Sequence, residues 1–252
     1  MRKTLLMPTV VALHAFPLRS AMWQPQIDFL VERGHRVVAP DLAGFGTSDL
    51  PAGGASIDDY GDDVVAVLNE LNEDRVVMLG LSMGGYVALS VAVRHPERLR
   101  GLVLADTRAQ GDSPEVARRR TAQQQQLATE GTERLRTALV AGMVGATTSA
   151  DKPELVQRVH DLADSPASAW IAALEALKLR PDRTAFLETI CVPTLVVVGD
   201  EDRISPPAEV EQWQPMIADS TLVVLPRAGH LSNLEAAPEF NAALSSFLEH
   251  VR

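Results

Sequence analysis

The apolar residues of the chain fall into six short runs that are rich in Val and Leu. The runs are continuous rather than alternating, which is typical of parallel strands covered by helices on both faces. Helical patterns lie between them, and this alternation predicts an α/β fold with a mostly parallel, doubly wound sheet. The six predicted strands are Thr9–Leu13, Arg36–Ala39, Arg75–Leu79, Gly101–Asp106, Thr194–Gly199 and Thr221–Leu225.

Helix signals mark several of the segments between these runs. The stretch Ser56–Asp59 has the sequence of a capping box, and an apolar face continues from it. A second helix is predicted from Met83 to about Arg94, because Pro96 disfavours its continuation. Pro238 suits the first turn of a last helix.

The alternation of strand and helix stops between about residues 109 and 188. No strand-like run occurs there, and Ala, Gln, Arg and Glu dominate with helical spacing. We interpret 109–188 as a helical cap, or lid, inserted into a core formed by residues 1–108 and 189–252. Because the insertion follows a strand end, we expect it to cover the carboxyl edge of the sheet, where open α/β sheets bind ligands.

Two polar clusters within this insertion have two interpretations. The clusters are Arg118–Arg120 and Gln123–Gln126. They could form a binding patch, but a solvated helix face is the commoner origin of such runs. We therefore predict that both clusters face solvent.

The composition limits the partners and the location of the protein. A formal net charge of −10 argues against nucleic acid, whose binding requires a basic face. The single Cys191 cannot form an internal disulfide. The N-terminal residues 1–7 superficially resemble a signal peptide, but Pro8 interrupts the run, and no apolar stretch reaches the length of a membrane span. We expect a cytoplasmic protein without a membrane partner, and the sequence does not indicate its oligomeric state.

The segment Gly80–Gly84 carries the strongest chemical signal, since it fits the pattern G-x-S-x-G. It follows the predicted strand Arg75–Leu79 and opens a predicted helix. A strand-to-helix turn this sharp needs glycine, and it lifts the serine into a cleft. The alternative is a tight turn with an incidental serine. We predict that Ser82 is a nucleophile.

A serine nucleophile needs a base and an acid that orients the base. His230 follows the last predicted strand after a short loop, at the same sheet edge as Ser82. It is therefore the predicted base. The acid is expected between them in the chain, after another strand end. Spacing leaves four candidates open, namely Asp106, Asp200, Glu201 and Asp202.

Acyl transfer also requires two N–H donors for the developing oxyanion. Met83 supplies one by its position after the nucleophile at a helix start, and Phe16 is assigned the second, from the loop after the first strand. His14 in that loop is predicted to be a structural hydrogen-bonding residue. The sequence contains no pair of histidines four residues apart with a glutamate, so no zinc site is predicted. Gly44-x-Gly46 lacks the rest of a dinucleotide-binding fingerprint, so no cofactor is predicted either.

In order and spacing, these motifs resemble the α/β-hydrolase superfamily, and especially its small carboxylesterases and 3-oxoadipate enol-lactonase-like hydrolases. The resemblance implies that the acid is Asp202, the last residue of a G-x-x-D loop. One departure is Ala15, where members commonly have glycine after the histidine. The motifs are His14–Pro17, Asp41–Ser48, Gly80–Gly85, Gly199–Asp202 and Ala228–His230.

The resemblance implies a metal-independent serine hydrolase that cleaves small carboxylic esters through an acyl-enzyme. A lactonase is the nearest alternative, followed by carbon–carbon bond hydrolysis, cofactor-free perhydrolysis and a non-catalytic ligand receptor, because one fold and motif set serves them all. Plain core packing is an equally good explanation for the residues that we expect to line the substrate pocket. These are Phe16, Trp23, Met143, Trp170, Leu174 and Leu231.

Overall fold

The computed structural model describes residues 7–251, so the N-terminal residues 1–6 of the leader-like run lie outside the described residues. The described part contains a six-stranded parallel sheet with the strand order β2-β1-β3-β4-β5-β6. The strands are β1 Val10–Leu13, β2 Val37–Val38, β3 Val76–Leu81, β4 Leu99–Ala105, β5 Thr194–Gly199 and β6 Ser220–Leu225. Each lies at one of the six predicted runs.

The boundaries of every strand except β5 differ from the prediction by one or two residues, and two of these differences have identifiable reasons. β3 extends two residues further, because Gly80 and Leu81 are buried and pair in register with Leu104 and Ala105 of β4. β2 shortens to two half-buried residues at the edge of the sheet, where one neighbour is present instead of two. The extension of β3 brings Ser82 directly to the end of a central strand.

In the described part of the chain, six α-helices accompany the sheet. The connection from β1 to β2 leads to the edge of the sheet, and the connection from β2 to β3 leads back past β1. Because crossovers between parallel strands are right-handed, the helices of these two connections lie on opposite faces of the sheet. The first helix packs against the last, and the second packs against the third. They are α1 Gln24–Val31, α2 Ile57–Glu70, α3 Met83–Arg94, α9 Pro207–Trp213, α10 Ser232–Glu235 and α11 Ala237–His250.

The predicted helix signals are confirmed. The Ser56 hydroxyl accepts from the N–H of Asp59, and the Asp59 carboxylate accepts from the N–H of Ser56 at 2.8 Å, which closes the capping box of α2. α3 ends at Arg94, two residues before Pro96. Pro238 lies in the first turn of α11.

Five further helices lie between β4 and β5, in the segment predicted to be a cap. The first and the last of these five helices pack along each other, and their buried side chains, such as Leu127 and Trp170, continue the core around the sheet. Within residues 7–251, no helix combines the length and apolarity needed to cross a membrane. The cap helices are α4 Pro114–Glu130, α5 Glu133–Met143, α6 Ala146–Asp151, α7 Pro153–Leu162 and α8 Ala167–Leu179.

Candidate active site

Ser82 lies between β3 and α3 with a backbone conformation that L-residues rarely adopt. Its φ is 54° and its ψ is −113°. The Ser82 N–H donates to the carbonyl of Ala105 at 3.0 Å, and the Thr107 hydroxyl donates to the Ser82 carbonyl at 2.9 Å. These bonds hold a strained backbone, a feature that clusters at functional sites.

Two glycines make this turn possible. A Cβ on Gly80 would lie 2.2 Å from the Gly84 carbonyl oxygen, and a Cβ on Gly84 would lie 2.0 Å from the Leu13 carbonyl oxygen. Any side chain at either position would therefore push α3 away from β3 or β1. The spacing that suggested a nucleophile reflects a steric requirement of the turn.

The carboxyl edge of the sheet gathers residues from separate strand ends. Ser82 follows β3 directly, Asp202 follows β5 by three residues, and His230 follows β6 by five. The Nε2 atom of His230 lies 2.8 Å from the Ser82 Oγ, and its Nδ1 atom lies 2.8 Å from the Asp202 Oδ2. Asp202 and His230 are buried, whereas Ser82 is half-buried. The structure thus joins the three residues in one hydrogen-bonded chain.

Asp202 is held in its charged form by its surroundings. Burial by itself would raise the pKa of Asp202, but His230 and the hydrogen bonds to the carboxylate outweigh burial and lower this pKa to about 2. One oxygen accepts from the N–H groups of Ile204 and Ser205 at 2.7 and 3.1 Å. The other accepts from the Ser205 hydroxyl at 2.8 Å. The carboxylate can therefore stabilise a positive charge on the neighbouring imidazole.

The remaining carboxylates that spacing left open lie elsewhere. Asp200 is exposed. Glu201 accepts from the Thr147 N–H at 2.8 Å and so ties the β5 loop to the cap. Asp106 is fully buried and accepts from the Gly199 N–H at 3.0 Å. Burial, followed by the nearby charge of Asp202, raises the pKa of Asp106 well above its usual value.

The two predicted oxyanion donors both line the cavity beside Ser82. Phe16 follows β1, and Met83 is the first residue of α3, where helix N–H groups have no partner within the helix. Within residues 7–251, neither backbone N–H donates to a protein acceptor. The neighbouring Ala15 is fully buried, and its N–H points to the Met22 sulfur at 3.3 Å.

His14 acts as a structural residue in this loop, as the sequence indicated. Its Nε2 atom accepts from the N–H of Leu42 at 2.9 Å, and its Nδ1 atom lies 3.1 Å from the carbonyl of Ala15. Complete burial lowers the pKa of His14 to about 4, against smaller opposing effects of the Ala15 carbonyl and Asp41. The neutral imidazole thereby joins the β1 loop to the loop after β2.

A cavity of about 350 Å³ opens in front of Ser82 and His230, at the lower end of the size range of small-molecule sites. α5 supplies a larger share of its apolar wall than any other helix, including the predicted Met143. The segment predicted to be a cap contacts the predicted core beside this cavity, because the His230 N–H donates to the Met143 carbonyl at 2.8 Å. The remaining apolar lining comprises Phe16, Met83, Leu135, Ala138, Leu139, Leu177 and Ile204.

Four of the expected pocket residues are packing residues outside this wall. Trp23 packs against Phe240, and Trp170 packs edge-on against Phe16 from behind. Leu174 and Leu231 are also completely buried. Their apolar character indicated burial but not which surface each side chain covers.

The prediction that the polar clusters of α4 form a solvated face holds for Arg118 and Arg119, which are exposed, but not for Arg120, which is ion-paired with Asp112. Arg119, Arg120 and Gln123 line the cavity, whereas Arg118 is exposed and lies outside the lining. The spacing of the three lining residues places them on one face of α4. That spacing was visible in the sequence, but the direction of the face depends on how α4 packs on α8.

Sequence reasoning missed the role of Ser205. Its hydroxyl donates to Asp202 and also lies 3.3 Å from the His230 Nδ1. Its place three residues after Asp202 was the available signal. Within residues 7–251, no group of three or more His, Cys, Asp or Glu residues is arranged to hold a metal ion.

Similarity to known proteins identifies the family of this chain. The sequence profile of the family described as "alpha/beta hydrolase fold" matches residues 8–237. The chain belongs to the α/β-hydrolase family. Its relatives include 3-oxoadipate enol-lactonase 2 of Acinetobacter baylyi, which is 30% identical over 96% of this chain and 89% of the relative.

Solved structures of α/β hydrolases agree with this family membership. A thermophilic esterase from Thermogutta terrifontis, with malate bound, is 36% identical at a TM-score of 0.93, over 97% of this chain and 90% of the esterase. The enol-lactonase from Burkholderia xenovorans LB400 is 29% identical at a TM-score of 0.88, over 96% and 91%. The family and these relatives support hydrolase activity.

Proposed function

We propose that this protein hydrolyses carboxylic esters of small substrates, with Ser82 as nucleophile, His230 as base and Asp202 as the acid that orients the base. One observation carries the proposal. The Ser82 Oγ is 2.8 Å from one nitrogen of His230, and the other nitrogen is 2.8 Å from the Asp202 carboxylate, beside a cavity. This is the arrangement that activates a serine hydroxyl for acyl transfer.

In the first half-reaction, the Ser82 Oγ forms a bond to the ester carbonyl carbon while its proton passes to the Nε2 of His230. The carbonyl oxygen becomes an oxyanion, which the N–H groups of Phe16 and Met83 stabilise. Asp202 stays ionised, consistent with its pKa of about 2, and stabilises the imidazolium.

The tetrahedral intermediate then collapses. The bond between the carbonyl carbon and the alkoxy oxygen breaks, and His230 gives its proton to the departing alkoxide. In the second half-reaction His230 takes a proton from water, whose oxygen attacks the acyl carbon. His230 returns this proton to the Ser82 Oγ as the carboxylic acid leaves, so the starting enzyme is regenerated.

Residues 109–188 serve as a cap in this proposal. Support comes from α4, α5 and α8, which supply most of the cavity wall, and from two hydrogen bonds between cap and core. These are the His230 N–H to the Met143 carbonyl and the Gly145 N–H to the Glu235 carboxylate, each 2.8 Å. The cap would shape the substrate slot and exclude water from the reacting centre.

A lactonase is the second candidate, favoured by the enol-lactonases among the relatives. The same residues would attack a cyclic ester, and the alkoxide would remain attached to the acyl group after ring opening. Because the chemistry at Ser82 is unchanged, the shape of the cavity decides between the two substrate classes.

The test is turnover of p-nitrophenyl esters of increasing acyl length and of several lactones, by the native protein and by Ser82→Ala. Circular dichroism and thermal unfolding establish that both proteins are folded. Ester turnover that disappears in Ser82→Ala supports the proposal. Lactone turnover exceeding that of every ester would establish the second candidate.

Two outcomes would contradict the proposed function. Full turnover by a folded Ser82→Ala protein would exclude Ser82 as the nucleophile. A folded native protein that hydrolyses neither class would direct attention to carbon–carbon bond hydrolysis, perhydrolysis or ligand binding without catalysis.

A further inference from the structure

The charge of the cavity wall is opposite to that of the whole protein. The chain has 33 acidic and 23 Lys or Arg residues. Yet the cavity lining, taken within residues 7–251, includes Arg119 and Arg120 and neither Asp nor Glu. Positive charge in a concave surface favours negatively charged ligands. An acidic protein therefore has positively charged side chains in the wall of the cavity that holds its proposed nucleophile.

Arg120 is held by a cluster next to the cavity. Its guanidinium and that of Arg180 both bind the buried carboxylate of Asp112. Burial alone would raise the pKa of Asp112, but the two arginines lower it below its usual value. Two guanidinium groups share one carboxylate, so this cluster retains one positive charge. The Arg180 guanidinium also lies 4.2 Å from the centre of the Tyr86 ring, which lines the cavity.

Arg119 differs from its neighbour because its guanidinium is available. Among the described residues, Arg119 forms neither an ion pair nor a side-chain hydrogen bond. It is exposed to solvent and still contributes to the cavity wall. The planar guanidinium can bind a carboxylate through two parallel hydrogen bonds. Gln123, one turn further along α4, adds an amide to the same wall.

The wall contributed by α5 is apolar. Leu135, Ala138, Leu139 and Met143 line it, whereas Ser82 and His230 provide the reacting groups. This combination of lining residues suits a ligand that has an ester group, an apolar part and an anionic group. A neutral ester of the same length would leave the guanidinium of Arg119 without a partner in the cavity.

We propose that Arg119, assisted by Gln123, binds a carboxylate of the substrate that is remote from the scissile carbonyl. Arg119 would then determine specificity for esters that carry such a carboxylate. The inference rests on the proposed function, since it concerns the substrate of the same site. The carboxylate can belong to the acyl part or to the alcohol part of the ester, and the experiment separates these two cases.

The test compares each anionic ester with a neutral partner of matched shape. The acyl series is monomethyl succinate, glutarate and adipate, each paired with the methyl ester whose carboxylate is a carboxamide. The alcohol series is butyryl esters of short hydroxy acids, paired with the corresponding hydroxy amides. The measured quantity is kcat/KM for the anionic ester divided by kcat/KM for its neutral partner.

In the native protein we expect this ratio to be roughly ten for one of the two series. In Arg119→Gln the ratio should fall close to one, because the variant lacks the charge-assisted hydrogen bond to the carboxylate. Arg119→Lys should keep part of the preference. Arg118→Gln is the matched control, since it removes an equal charge from α4 outside the cavity. The ratio in Arg118→Gln should remain at the native value.

Three results would overturn the inference. They are a native ratio near one in both series, an unchanged ratio in Arg119→Gln, and an equal loss in Arg118→Gln, which would indicate long-range charge alone. Calorimetry measures the binding of monomethyl glutarate to Ser82→Ala, with and without Arg119→Gln. This measurement distinguishes failure of the inference about Arg119 from failure of the proposed function. If binding is lost when Arg119→Gln is added, the proposed carboxylate site is supported even if the native protein hydrolyses no ester.

Discussion

Asp106 accepts two hydrogen bonds from Ser232, one from the hydroxyl at 2.5 Å and one from the backbone N–H at 3.2 Å. Asp106 directly follows β4, and Ser232 follows His230 by two residues. The second oxygen of Asp106 accepts from the Gly199 N–H, at the start of the loop that carries Asp202. One buried carboxyl group therefore joins the loops of both proposed partners of Ser82.

Replacement of this carboxyl group in Asp106→Ala should impair both folding and catalysis. The N–H groups of Gly199 and Ser232 would remain buried without acceptors, at a cost of about 1–3 kcal/mol each. We expect a lower free energy of unfolding in urea and a fall in kcat that exceeds any change in KM. Asp200→Ala, which removes an exposed carboxylate from the β5 loop, is the control. Equal kinetics and stability in the two variants would contradict the joining role.

Ser205→Ala should slow turnover without unfolding the protein. The variant removes the 2.8 Å hydrogen bond to Asp202, so the carboxylate orients His230 less well and its pKa rises from about 2. A lost hydrogen bond to a charged group corresponds to roughly a tenfold decrease in kcat. Steady-state kinetics on a p-nitrophenyl ester measure this decrease, with the exposed Ser149→Ala as control. A kcat equal to that of the control would show that the backbone donors suffice.

The fold could be predicted from the sequence because the four central strands, β1, β3, β4 and β5, are buried on both faces. Runs of Val and Leu are continuous in β3, β4 and β5, and the structure confirms these strands. The turn at Ser82 was recognisable because its two steric requirements are local, falling at Gly80 and Gly84. Local signals of this kind need no knowledge of tertiary contacts.

The features that the sequence did not reveal depend on distant packing. Arg118 and Arg119 are chemically identical neighbours, and only the placement of α4 directs one of them to the cavity. Asp106 and Asp202 both follow strand ends, but their partners come from loops about 30 to 130 residues away in sequence. The apolar side chain of Trp170 would suit a pocket wall as well as the core. Its packing against Phe16 therefore could not be deduced from the sequence.

Asp202→Asn should flatten the acid dependence of stability. The pKa of Asp202 is about 2 in the folded protein and 3.8 as its ordinary value, so the unfolded chain takes up the proton first as the pH falls. The resulting stabilisation, about 2 kcal/mol, is present above pH 3.8 and is lost as the pH falls through about 2. Urea unfolding along a pH series measures the stability difference between native protein and variant. A difference that stays constant below pH 5 would contradict the lowered pKa.

His14→Gln should remove a second, separate pH dependence. Burial lowers the pKa of His14 from 6.5 to about 4, so the unfolded chain binds a proton more readily than the folded protein. Its stabilising effect is complete above pH 6.5 and declines by about 3 kcal/mol as the pH falls to about 4. The variant cannot titrate, so urea unfolding should show a smaller loss of stability over this window, with the exposed His250→Gln as control. An equal loss in both variants would mean that the imidazole of His14 can be protonated in place, and that its acceptor role toward the Leu42 N–H is dispensable.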